Sequence, residues 1–330
     1  MERIMMAHGS GGRLSHELIR TLFQRYLGNS YLDQMNDATF LPGQAQLAVT
    51  TDSFVISPLF FRGGNIGKLA VCGTVNDLAV SGASPRFLTL ALILEEGLPL
   101  VELEEIIKSI AETALEAGVA IVCGDTKVVE RGSADRIFIN TTGIGYITNR
   151  FLGPQRIEPG DVILSTGTIG DHEIAILSER EGLEFETPVK SDCAPLNGLI
   201  DSFFQPEVKC MRDPTRGGVA TTLNELAQQA GVSMLLQEEA LPINPGVEGA
   251  CAMLGLDPLY LANEGKALVI ASPEAAGSLL QAMREHPLGK NAAQIGKVLE
   301  GKPGLVLLET PLGGKRILGM LEGEHLPRIC

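Results

Sequence analysis

The sequence predicts an α/β (α+β) protein of two domains of similar size, and three observations lead there. A chain of 330 residues is too long for one ordinary core. With 45% hydrophobic residues it can fill two, and 38 glycines without a tryptophan suit strands and helices joined by many tight turns. The order of elements also repeats: strand and helix patterns alternate as far as Ile147, stop at a Pro/Gly break, and begin again.

In the first half, Leu47 to Thr51 reads as a strand running into Asp52. Asn65 to Ser81 places Ile66, Leu69, Ala70, Val75, Leu78 and Ala79 at the spacing of a buried helix. Phe87 to Leu94 is a strand with apolar residues on both faces. From Val101 to Ala117, Leu103, Ile106, Ile107, Ile110, Ala114 and Leu115 recur at helical spacing, and Gly118 ends the run. Val119 to Cys123 is expected as a strand that ends at Gly124-Asp125, and Ile137 to Ile147 as a long one. Pro154 and the Glu158-Pro159-Gly160-Asp161 turn mark the break. Beyond it come strand Val162 to Ser165, helix Asp171 to Arg180, helix Gly218 to Ala230 and strand Met234 to Gln237. Strand Ala267 to Ala271, helix Pro273 to His286 and strands near Gln294 to Leu299 and Gly304 to Leu308 follow. After Leu318, Gly319 to Cys330 carries little that could build a core, and Pro327 keeps its predecessor extended.

A formal charge of −14 removes nucleic acid and anionic membranes from the expected partners, because both need a basic face. It still allows a nucleotide, provided carboxylates hold Mg²⁺ and the metal meets the phosphates. The longest near-apolar stretch, Phe87 to Leu94, is too short to span a bilayer, and Met1 to Arg13 lacks the apolar centre of a signal peptide. The six cysteines show no metal-ligand spacing. Cys72 and Cys123 lie in apolar runs and read as small buried hydrophobes. A reducing, cytoplasmic location is expected.

Five features could carry chemistry. In His8-Gly9-Ser10-Gly11-Gly12-Arg13, glycines free backbone N–H groups to turn toward an anion and Ser10 adds a donor, although no Walker lysine follows. Asp52, Asp77 and Asp125 stand at strand ends or polar breaks. Asp77 is the informative one, since a charge inside an apolar helix is costly unless paired or metal-bound. Singly each reads as a cap; together they read as a Mg²⁺ site. Lys127 follows Asp125-Thr126 and could meet phosphate oxygens, or be a solvated lysine. Arg212-Asp213-Pro214-Thr215-Arg216-Gly217-Gly218 pairs two guanidinium groups with a Gly-Gly entry to a helix, which suits phosphate or an Asp–Arg ion pair. Glu264, in Asn263-Glu264-Gly265, is an acid/base candidate before a strand.

These segments, with Asn76-Asp77-Leu78-Ala79-Val80-Ser81-Gly82-Ala83, Gly124-Asp125-Thr126-Lys127 and the Pro327-Arg328-Ile329-Cys330 end, resemble the HypE family. That family is a hydrogenase maturation branch of the PurM-like (aminoimidazole ribonucleotide synthetase) superfamily. The resemblance covers essentially the whole chain, and the terminal Pro-Arg-Ile-Cys is what selects the family. It implies a Gly-rich phosphate-binding segment with a helix over 1–40 and an ATP-binding, dimer-forming domain over 41–153. A C-terminal domain over 154–318 and a tail over 319–330 complete the division. It further implies an ATP-dependent carbamoyl dehydratase that turns a thiocarboxamide on Cys330 into a thiocyanate for the [NiFe]-hydrogenase iron. HypF is the implied carbamoyl donor and HypC–HypD the acceptor. Lys127 and Glu264 are the implied proton-handling residues. Gly9, Ser10, Gly11, Gly12, Asp52, Asn76, Asp77, Thr126, Arg212 and Arg216 are the implied nucleotide contacts, and Asp52, Asp77 and Asp125 the metal ligands. Two rivals remain at this stage: a small-molecule ATP enzyme such as a thiamine-phosphate kinase or selenophosphate synthetase, and a nucleotide-binding scaffold that displays its tail.

Overall fold

The computed structural model describes residues 3–9, 13–34, 39, 41–43, 46–147, 152–180 and 188–321. The tail from 322 onward, with Cys330, and the Ser10-Gly11-Gly12 stretch lie outside the described residues.

In the N-terminal half, α1 (Arg13–Leu18) and α2 (Gln24–Leu27) flank a π turn and precede β1 (Leu47–Phe54). A small ribbon of β2 (Phe60–Phe61) and β3 (Gly64–Asn65) leads into α3 (Ile66–Val80). Then come β4 (Ala83–Glu95), α4 (Leu100–Ala117), β5 (Ala120–Val129) and β6 (Ile137–Ile147). The sheet order is β1-β6-β4-β5, and only β4 and β5 run parallel. One sheet face packs on α3 and α4: Leu88, Leu90, Leu92 and Leu94 share a core with Leu69, Leu103, Ile106 and Ile110. Asn65 starts α3 by accepting from the N–H groups of Gly67 and Lys68. Helix α3 is apolar and buried almost all round, because the C-terminal half covers the side that the sheet leaves open. The opposite face of the sheet stays open, with Leu47, Val49 and Ile93 exposed.

The C-terminal half holds β7 (Val162–Ser165), α5 (Asp171–Glu179), α6 (Asn197–Phe203), β8 (Val208–Arg212), α7 (Gly218–Ala230) and β9 (Ser233–Gln237). It continues with α8 (Pro245–Leu254), β10 (Leu268–Ala271), α9 (Ala276–Glu285), β11 (Ala293–Leu299), β12 (Leu305–Glu309) and β13 (Lys315–Leu318). These strands form one sheet in the order β13-β12-β9-β11-β7-β10-β8. Helix α7 fills one face with Val219, Leu223 and Leu226 against Met234 and Leu236. Helices α6 and α9 fill the other with Leu199, Phe203, Leu279 and Met283.

The main elements lie where the apolar periodicity predicts them, with two informative departures. Strand β5 does not stop at Cys123 but runs through Gly124-Asp125 to Val129, because it pairs with β4 along that length. A Cβ on Gly124 would lie 2.8 Å from the Leu90 carbonyl oxygen, so this glycine permits a close strand approach rather than a turn. Cys123 is accordingly exposed on the strand, not buried; Cys72 is buried as expected. Helices α6 and α8 and strands β8 and β13 have no expected counterpart. Asn197, Gly198, Pro245, Gly246 and Gly249 disguise the two helices.

Candidate active site

A cavity of about 350 Å³ opens between the halves, lined among others by Asp52, Asp77, Arg212, Asp213, Arg216 and Glu264. Four local structures bring these residues together. Asp52 alternates toward α3 along β1, whereas Thr51 and Ser53 face the open side. Asp77 sits near the end of α3, where the Thr50 hydroxyl donates to it at 2.8 Å. Arg212 ends β8, and Asp213 to Arg216 form the turn into α7. Glu264 closes the run that leads toward β10.

Glycines let these pieces meet. Gly218, at φ +63°, lies so close to the 259–261 backbone that a Cβ would come within 2.6 Å of the Leu259 and Leu261 carbonyl oxygens. This approach seats Arg216 and Glu264 on the same cavity. A Cβ on Gly265 would lie 1.8 Å from the Asp192 carbonyl oxygen. The Asp192 carboxylate accepts from the N–H groups of Glu264 at 3.1 Å and Gly265 at 3.2 Å, and Lys266 lies 3.6 Å away as its countercharge. Glu264 is therefore held by its backbone, leaving its buried carboxyl for the cavity.

The electrostatics are those of an acid cluster short of cations. Burial, then the charge and hydrogen bond of Asp77, push the Asp52 carboxyl up to about 6, with Arg216 opposing. Burial, then the Asp77 charge, push Asp213 up to about 7. Burial, then the Cys193 thiol and the carboxylates of Asp213, Asp192 and Asp52, hold Glu264 well above the usual carboxylate range. Unfolded, Asp52 and Asp213 would titrate near 3.8. Between that value and 6 to 7 the folded chain keeps protons that the unfolded chain has released, so rising pH favours unfolding. Metal-free protein is therefore expected to lose on the order of a few kcal/mol across this window and to level off above about pH 7. Melting curves in chelator at about pH 5.5, inside this window, and at about pH 7.5, above it, test this against Asp213→Asn, which should flatten the slope. An equally steep slope in the variant would discount Asp213 as a cause.

Asn76, expected among the nucleotide contacts, spends its amide inside the protein. Its Nδ2 donates to the carbonyl oxygens of Ala194 and Glu264, both at 3.1 Å, and its Oδ1 accepts from the Leu196 N–H at 2.7 Å. At 2% exposure it is a strut from α3 to the C-terminal half. Asn76→Ala should cost about 3 kcal/mol, since three buried partners lose their bonds, and thermal unfolding measures it.

The predicted site divides in two within one chain. Asp52, Asp77, Arg212, Arg216 and Glu264 converge on the cavity. Asp125 and Lys127 do not: they are exposed on β5, paired with each other at 3.2 Å. Asp125 registers through Ala91 and Asn140 to Ser53, so it lies on the open face, three strands or roughly 14 Å across the sheet. Thr126 shares that strand and points to the opposite face. Gly9 packs against the same strand, where a Cβ would lie 2.8 Å from the Val128 nitrogen. Within one chain the expected trio of Asp52, Asp77 and Asp125 is divided: alternation along β5 places Asp125 on the open face, and the third aspartate lining the cavity is Asp213. Among the described residues no three acidic, His or Cys side chains close on one point as a complete metal centre. The set still fits Mg²⁺, which is commonly held by one or two carboxylates together with nucleotide phosphates. Asp213 was missed because, between two arginines, it reads as an ion pair. Instead Arg212 lies 3.8 Å from Glu225, and only the fold reveals that Asp213 is half-buried on the cavity beside Asp77 and Asp52.

No helix among the described residues is long and apolar enough to cross a membrane. The family models of the AIR synthase related protein match the chain as an N-terminal domain over residues 35–147 and a C-terminal domain over 158–307. A carbamoyl dehydratase HypE of Azotobacter vinelandii is 53% identical over 331 residues, covering 99% of this chain and 97% of its own. The crystal structure of a hydrogenase maturation protein HypE in complex with ATP superposes with a TM-score of 0.95 at 49% identity, covering 99% of both chains. A HypE–HypF complex contains a chain with a TM-score of 0.81 at 48% identity, covering 94% of this chain and all of that one. At such identity over nearly its full length, this chain belongs to the HypE family of hydrogenase maturation proteins, the carbamoyl dehydratases of the AIR synthase related fold.

Proposed function

We propose that the protein dehydrates a carbamoyl group carried on its own Cys330, turning S–C(=O)NH₂ into S–C≡N at the expense of ATP, to supply the cyanide ligand of a [NiFe]-hydrogenase. The observation that carries the reading is the cavity itself, where acid-rich walls meet two arginines and one buried glutamate. An amide oxygen leaves poorly, so the carboxamide oxygen first attacks the γ-phosphorus of ATP and ADP departs. Loss of the N–H protons and of phosphate, which carries that oxygen away, then leaves the nitrile. Arg212 and Arg216 bind phosphate oxygens, and positioning in line does most of the work. Glu264 handles a proton of the nitrogen. Asp52 and Asp77, with Asp213 beside them, would hold Mg²⁺, which supplies charge neutralisation on the phosphates when bound.

The open sheet face bearing Leu47, Val49 and Ile93 is the surface for a homodimer. Asp125 and Lys127, which stand apart from the cavity in one chain, serve nucleotide binding and proton transfer once a second copy stacks there, together with Thr126 and the Gly9–Gly12 segment. HypF loads the cysteine and a HypC–HypD complex receives the cyano group. Mass spectrometry of the C-terminal peptide after incubation with HypF, carbamoyl phosphate and ATP tests the reading. The carbamoyl adduct should lose one water only when ATP is present, and Cys330→Ala should bind ATP yet show no adduct. An adduct that keeps its mass with ATP present, or an unchanged yield of cyano product from Cys330→Ala, overturns it.

A further inference from the structure

The root of the tail is held by side chains, not by the sheet. Strand β13 is the sheet's edge and ends at Leu318. From Leu318 onward three side chains bond the backbone. Asn224 Nδ2 donates to the Leu318 carbonyl oxygen at 3.0 Å, and the Tyr260 hydroxyl donates to that of Gly319 at 3.0 Å. The Thr221 hydroxyl then accepts from the Leu321 N–H at 3.3 Å. A chain end without core contacts is normally left loose unless tied down, and these are three ties within four residues.

The ties come from the two segments that build the cavity. Thr221 and Asn224 lie on α7, next to the cavity-lining Thr222 and Glu225, and Tyr260 is on the run that ends at Glu264. The close approach of Gly218 to residues 259–261 locks those two segments together. Root and cavity thus move as one body. From Leu321 to Cys330 the chain has nine residues, a reach of roughly 30 Å at most.

We propose that Asn224, Tyr260 and Thr221 form a clamp that fixes where and in which direction the tail leaves, so that Cys330 is presented to its own cavity. They are positioning residues, and the inference rests on the reaction proposed above. Freeing the root as far as Leu318 lengthens the tether from nine residues to twelve, which alone lowers the effective concentration only about 1.5-fold. Direction supplies the rest, so losing the clamp is expected to cost about fivefold or more.

The test is the Tyr260→Phe/Thr221→Val double variant, which removes two hydroxyls and leaves buried Asn224 in place. Full-length protein is carbamoylated by HypF, and the single-turnover rate of water loss from the C-terminal peptide is followed against ATP concentration. The double variant should slow by about fivefold or more with its half-saturating ATP unchanged, while Thr221→Ser, which keeps the hydroxyl, matches wild type. An unchanged rate, or a rate and ATP half-saturation that shift together as in a disturbed cavity, overturns the clamp. Wild-type protein that loses no water overturns the proposed function, and the clamp with it.

Discussion

Glu264→Gln is expected to slow water loss from the carbamoylated tail by about 10²-fold or more, within the range seen for removal of a positioned general acid or base. Glu264 is 3% exposed, and burial, then Cys193 and its acidic neighbours, hold its carboxyl well above the usual carboxylate range. Its backbone is fixed from both sides, by the Asp192 carboxylate on the N–H and by Asn76 on the carbonyl. Glutamine therefore fits the same place with the same shape and lacks only the titratable carboxyl that can exchange a proton with the substrate nitrogen. Half-saturating ATP should barely change. The melting temperature should hold or rise, because an acid that is costly to ionise has been removed. A wild-type rate in the variant would place the proton transfer elsewhere.

Asp77→Asn is expected to act in opposite directions on activity and on stability. Asp77 contributes the charge that raises both Asp52 and Asp213. Without it both carboxyls should titrate lower, and metal-free protein should gain about 1 kcal/mol near neutral pH. The same change removes one of two carboxylates proposed to meet Mg²⁺, so Mg²⁺-dependent ATP binding should weaken by about tenfold or more and dehydration fall further. Calorimetric titration of Mg²⁺-ATP and thermal unfolding in chelator read the two effects separately. A variant that is both less stable and equally able to bind Mg²⁺-ATP would remove Asp77 from the site.

The two halves of the fold were legible because their cores are built on strong periodicity. Leu103, Ile106, Ile107 and Ile110 could only be one face of a helix, and all four are fully buried on α4. Segments with Gly, Pro or Asn in their first turn, such as α6 and α8, were not legible, since local signals there favour turns and only packing turns them into helices. Strand β5 misled for the opposite reason. Gly124-Asp125 is a turn signal, yet the ladder to β4 continues through it.

By itself the sequence determined the family-defining segments, the acid-and-arginine chemistry and the terminal cysteine, because residue type and order suffice for these. Only the tertiary structure decided which residues share a cavity. Alternation along β1 and β5 sends Asp52 inward and Asp125 to the open face. The turn into α7 brings half-buried Asp213 onto the cavity, and burial turns Asn76 into a strut. Side chains far apart in the chain, Thr221, Asn224 and Tyr260, hold the root of the tail. Which face a strand residue takes, and how much solvent it loses, depends on neighbours that the chain brings together only on folding.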